Sequence, residues 1–289
     1  MTEKLLTVLK KYYLILLVTL VLTGCILFSK DSKSESQIQA NEIISTLEIE
    51  TETLTEPVTK AETTTETEVK TEPETSEPPK EVLLEDVPYY SQKNVLPTGC
   101  EIISAKMLLE YYTHEETEIE DMLNVISCQY PKQENGKTYA PHPENSFIGS
   151  PWNSSSFGCF APVIVRMLNH LLPKNYKAID TTGTDLQKLA ETYLPQKTPV
   201  LVWATIYMTE SFPNVGWYLY TDRGYTTDKW FQWLANEHCM VLVGYDEKYY
   251  YFNDPYEDNG LISFRRDISE KRYEEIGCYS LIVQEKQET

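Results

Sequence analysis

From Asp31 to Lys80 the chain is built of Thr, Glu, Ser, Pro and Lys and contains no aromatic residue, whereas all five Trp lie beyond Lys80. Such a stretch buries too little apolar surface to offset the entropy of ordering it. A packed core is therefore expected only in the last 200 or so residues, enough for one domain. The domain boundary is placed at residue 82, with residues 25–81 expected to form a disordered tether. As a flexible coil, 50 such residues span roughly 40 Å, and charge repulsion and Pro extend them further.

The start of the chain reads as an address. Lys4, Lys10 and Lys11 precede an apolar run, Tyr12 to Leu22, that ends in Leu22-Thr23-Gly24-Cys25. A basic start, a short apolar stretch and small residues before a cut are the parts of a secretory signal peptide. The tetrapeptide resembles the lipobox of bacterial lipoproteins, and that resemblance makes residues 1–24 the signal peptide and Cys25 the lipidated residue. The alternative is a single N-terminal transmembrane anchor, since Tyr12 to Phe28 is uncharged and about 17 residues long, the lower edge of a membrane span. Both place the C-terminal domain outside the cytoplasm and tethered to the membrane. A net charge of −19 with no basic stripe gives no electrostatic footprint for nucleic acid.

Within the C-terminal part, Ile103, Met107 and Tyr111 recur every four residues, with Ile102 and Leu109 alongside, which predicts a mostly buried helix. Thr98 and Glu101 read as its N-cap and capping box, placing Cys100 in the first turn. Unpaired N–H groups and the helix dipole favour a thiolate there. Gly99 would let another chain approach beside the sulfur. By residue type alone, a first-turn Cys is more often packing than nucleophile.

A thiolate nucleophile needs a base, and His is scarce. His114 follows the helix among Glu residues, His142 sits between prolines, and His170 ends a predicted helix from Pro162 to Leu171. Only His238 lies in an apolar strand, His238 to Tyr245, followed by Asp246-Glu247-Lys248 and Tyr249 to Pro255, which together read as a β-hairpin. A three-residue loop sets Met240 opposite Asp254 and gives His238 and Asp254 one sheet face. A two-residue loop puts Asn253 there instead. Either can orient an imidazole, although Asn253-Asp254-Pro255 alone reads as a strand-ending turn. Gln92, eight residues before Cys100, could lend its amide to an oxyanion hole.

Tyr90-Ser91-Gln92, Leu96 to Glu101, His238 to Asp246 and Asn253-Asp254-Pro255 together resemble the bacterial double-glycine-peptidase-like domains, papain-fold relatives of the bacteriocin-leader peptidases. Phe147 to Pro151, Phe157 to Pro162 and Thr198 to Trp203 share the likeness, which covers roughly residues 84 to 284. The resemblance implies an α+β papain-like fold, with a helix carrying the Cys packed on an antiparallel sheet carrying the His. It also implies a peptide or protein substrate, with Cys100 as nucleophile, His238 as base, Asp254 as orienting group and Gln92 as oxyanion donor. No Gly-rich Walker loop accompanies the domain, so cleavage after a double glycine is not carried over. A catalytically silent binding module of the same fold and a cell-wall peptide amidase are the rival functions.

Cys128, Cys159, Cys239 and Cys278 lack CxxC spacing and are expected as buried free thiols. Neither a metal nor another cofactor is expected, since the spacing and number of His do not suit zinc. The stretch Tyr207 to Glu237, with Trp217, Trp230 and Trp233, reads equally as a flap over a substrate cleft or as a second small core. Trp203 and Trp233 are the candidate substrate-binding residues.

Overall fold

The structure, a computed structural model, describes residues 77–221, 223–258 and 260–286. The expected signal peptide, Cys25 and all but the last few tether residues lie outside them. In chain order the elements are β1 (Val82–Leu83), α1 (Cys100–Thr113), α2 (Ile119–Val125), β2 (Cys128–Gln129), β3 (Lys132–Glu134), β4 (Lys137–Ala140), β5 (Phe147–Ile148), α3 (Ala161–Leu171), β6 (Tyr176–Asp180), α4 (Leu186–Tyr193), β7 (Val200–Thr205), β8 (Phe212–Tyr220), β9 (Thr226–Ala235), β10 (Glu237–Tyr245), β11 (Tyr249–Asn253), β12 (Leu261–Arg265), α5 (Arg266–Ile276) and β13 (Ser280–Glu285).

The main sheet runs β12-β11-β10-β7-β13-β6, and every pair in it is antiparallel. β1 pairs with Gly244 and Tyr245 of β10, where β7 no longer reaches. Both faces of the central strands are covered, because α1 packs on β10 and α5 on β7. This is why Val200 to Thr205 and His238 to Tyr245 are continuously buried instead of alternating. Among the described residues the fold is α+β, with the Cys-bearing helix lying on the His-bearing sheet. Ser104 Oγ of α1 donates to the Cys239 carbonyl of β10 at 3.2 Å, tying the two together.

A smaller sheet, β3-β4-β8-β9, carries the aromatic stretch. Trp217 is fully buried and donates Nε1–H to the Pro141 carbonyl at 3.1 Å. It packs with Phe157, Phe231 and Trp233. Phe160 continues this cluster and stacks on Tyr279 with ring centroids 4.0 Å apart. Two of the three Trp are buried and continuous with the core of the main sheet, while Trp230 is 53% exposed and leans on Tyr218. The cysteine expectation holds for Cys159 and Cys239, which are buried and free, but Cys128 is exposed and Cys278 half-buried.

Candidate active site

Cys100 opens α1, but the helix starts differently from the expected capping box. The N-cap is Gly99, with no side-chain cap. Thr98 Oγ1 is committed elsewhere, to the carbonyls of Ser150, Pro151 and Asn153 at 3.1–3.4 Å. Glu101 turns inward and accepts the Cys159 N–H at 2.7 Å through Oε1. The crowding at Gly99 also differs from expectation: a Cβ there would sit 2.4 Å from Leu96 Cβ, so its own loop requires the glycine. The first-turn N–H groups at Cys100 have no partner within the helix.

The hairpin brings His238 to Asp254. Near the site Val241 pairs with Asn253 and Leu242 with Phe252, the register of the three-residue loop. The turn itself is one residue longer, since Tyr245 pairs with Tyr250, and a bulge at Val243 takes up the difference. His238 Nε2 lies 2.6 Å from Asp254 Oδ1, with both side chains almost wholly buried. An ionised carboxylate only accepts, so Nε2–H donates and Nδ1 carries the lone pair in the neutral ring. Asn253 takes no part in this pair. Its Nδ2 donates to the Val87 carbonyl at 3.1 Å.

Gln92 is held beside the same turn. Its N–H donates to the Pro255 carbonyl at 2.8 Å, and its own carbonyl accepts from Val95 and Leu96. The buried side-chain amide is lightly engaged: Nε2 reaches the Leu96 and Pro97 carbonyls at 3.5 and 3.4 Å, and Oε1 has no partner among the described residues. Gln92, Cys100, His238 and Asp254 thus lie on elements that are directly bonded or packed together.

The electrostatics overturn one expectation. Instead of a thiol lowered by the helix N-terminus, burial pushes the Cys100 thiol up, and the carboxyls of Glu101 and Glu237 push it further. Burial also raises Glu101, to about 7, although the Cys159 N–H and the His238 charge oppose the rise. Glu237 is raised by burial and by Glu101, and its Oε1 has no partner among the described residues. Asp254 goes the other way. Burial would raise it, but the charge and hydrogen bond of His238 and the N–H of Tyr256 outweigh that and hold it low.

Neither candidate Trp lies open to a substrate. Trp203 is fully buried, and its indole N–H is spent on the Cys159 carbonyl at 2.9 Å, because it faces inward on a strand covered on both sides. Trp233 is 5% exposed and lines a cavity of about 100 Å³ with Phe160, Phe231, Glu237 and Tyr279. Other site residues escaped the sequence reading. Glu101 matches the spacing of a cap, Glu237 adjoins His238 in the sequence, and Tyr256 lies with its ring 6.0 Å from the imidazole. A Glu directly after Cys100 and another directly before His238 are the available signal.

Comparison with known proteins agrees with this architecture. A crystal structure of a Bacillus anthracis protein described as a C39-like peptidase superposes with a TM-score of 0.62 at 23% identity, covering 73% of this chain and all of that one. The Bacillus subtilis (strain 168) uncharacterized protein YvpB is 26% identical over 206 residues, covering 69% of this chain and 75% of its own. The model of the Peptidase_C39 like family matches residues 84–281, a span holding Gln92, Cys100, His238 and Asp254. With most of the described domain inside that match, the chain belongs to the Peptidase_C39 like family.

Proposed function

We propose that the domain is a cysteine peptidase that hydrolyses peptide bonds with Cys100 as nucleophile, His238 as base and acid, Asp254 as the group orienting the imidazole, and Gln92 as an oxyanion donor. The observation that carries this is the buried 2.6 Å contact between His238 Nε2 and Asp254 Oδ1, which fixes the tautomer and turns the basic nitrogen, Nδ1, away from the carboxylate. The Cys100 proton passes to Nδ1 while the sulfur attacks the scissile carbonyl carbon. The oxyanion is met by the Cys100 N–H and the Gln92 amide. The C–N bond then breaks, the imidazolium protonates the departing amine, and water, activated by the same imidazole, releases the acid and regenerates the thiol.

The lipobox-like Leu22 to Cys25 and the Thr/Glu/Pro-rich stretch support an extracytoplasmic, membrane-tethered enzyme acting on peptides or proteins. The direct test is hydrolysis of a mixed peptide library by the purified full chain, beside Cys100→Ala and Cys128→Ala. Loss of cleavage in the first variant alone supports the assignment. Cleavage by Cys100→Ala at the full rate sinks it, and no cleavage by any of the three points to a binding module.

A further inference from the structure

We propose that Glu101 is a positioning residue that holds the resting Cys100 as a hydrogen-bonded thiol, an inference resting on Cys100 being the nucleophile. The Glu101 carboxyl is fully buried and divides its oxygens between two partners. Oε1 accepts the Cys159 N–H at 2.7 Å, and Oε2 lies 3.3 Å from Cys100 Sγ. Its position leaves little freedom. The Cys159 carbonyl accepts from Trp203 Nε1, which fixes the same residue, and Gly158 passes so close that a Cβ there would sit 2.4 Å from Oε1.

An ionised carboxylate accepts hydrogen bonds and cannot donate them. The contact with Sγ is therefore attractive while the sulfur carries its proton and becomes a like-charge contact once it does not. Lys106, further along α1, is committed to Glu110. The titratable groups facing Glu101 are Cys100, Cys128, Cys159, Glu237, His238 and Cys239, from α1, β2, the loop before α3, and β10. Of these, only His238 can become a cation. Loss of the Cys100 proton to solvent thus leaves two buried negative charges side by side. Transfer of that proton to His238 Nδ1, with the electron pair remaining on sulfur, creates an imidazolium that is paired with Asp254 and attracted by Glu101, and conserves the charge of the site. Glu101 thereby favours ionisation of Cys100 by transfer within the site and keeps the thiol slow toward reagents from solution, which react with thiolate.

The test is the rate of iodoacetamide alkylation of Cys100 in the full chain from pH 6 to pH 10, followed by peptide mapping. In wild type the midpoint of the profile is expected above the ordinary thiol value of about 8.5. In Glu101→Gln the side-chain carbonyl still accepts from Cys159 while the amide N–H₂ faces sulfur. Alkylation at pH 8, where Glu101 is ionised, is expected to rise at least about tenfold, the equivalent of one pH unit in the midpoint. An unchanged or slower rate overturns the proposal. Should Glu101→Gln fail to fold, Glu101→Asp, which draws the carboxylate back from sulfur, takes its place: faster alkylation than wild type supports the proposal, and an unchanged or slower rate overturns it. Because alkylation needs no peptide cleavage, this result stands apart from the peptidase assay, and a domain without hydrolytic activity can still give either answer.

Discussion

Asp254 on the sheet and Glu101 on the helix are about equally buried, at 1% and 0% exposed, yet one is held low and the other pushed up to about 7. Asp254 sits just past the end of β11 and receives the His238 ring N–H and the Tyr256 backbone N–H. Glu101 receives one backbone N–H and a thiol, with no Lys or Arg paired to it among the described residues. Burial alone does not set the charge of a carboxyl. The donors and countercharge supplied by the surrounding elements do. The sheet side of the site is thus built to hold an imidazolium, and the helix side to hold a protonated sulfur.

Exchanging the character of the two sides should break the comparison. The largest effect is expected on the sheet side. Asp254→Asn keeps the shape but can present an amide N–H to Nε2, favouring the wrong tautomer, so peptide cleavage should fall by about 10²–10⁴-fold with little change in melting temperature. A loss of less than about tenfold would mean that the imidazole is oriented by something else. On the helix side, Glu101→Gln should change reactivity in the opposite direction, through the faster alkylation described above.

Stability should separate the two carboxyls by sign. Glu101 is raised in the folded chain, so the unfolded chain releases its proton first, and stability falls as pH rises from about 4.5 to about 7. Asp254 is depressed, so its contribution is present above about pH 4 and lost as pH falls further. Thermal melts of wild type and Glu101→Gln should therefore diverge with rising pH, the variant gaining relative to wild type by pH 8. Parallel curves from pH 5 to pH 8 would remove the raised carboxyl from the account. A smaller effect is expected at Trp203→Phe, which leaves the buried Cys159 carbonyl without its indole donor and should cost about 1–3 kcal/mol in denaturant unfolding. Trp230→Ala, at an exposed position, should stay within about 0.5 kcal/mol.

Much of the sheet side was legible in the sequence. The apolar run after His238 and the hairpin are visible there, but they leave Asp254 and Asn253 as alternatives on the His face; the structure brings Asp254 to His238, with a turn one residue longer than the three-residue loop and a bulge at Val243 that restores its register. Neither feature leaves a mark in a pattern of alternating hydrophobicity. The helix side was less legible. Thr98 and Glu101 satisfy the spacing of a capping box, but the Ser150 to Asn153 segment and the Cys159 peptide, more than fifty residues away, draw both side chains off. Partners so distant in sequence are invisible to local pattern. The same limit applies to Trp203, whose place in an apolar strand gives no hint that its indole faces Cys159.

The central claim is that Cys100 attacks a carbonyl with His238 as its base. Intact-mass and peptide-mapping mass spectrometry after brief mixing with an activated peptide ester tests it most directly, since the acyl group is captured on the nucleophile. The acyl mass is predicted on Cys100 in wild type, absent in Cys100→Ala and strongly reduced in His238→Ala. Acylation confined to the exposed Cys128, or equal acylation of Cys100 with and without His238, would contradict it.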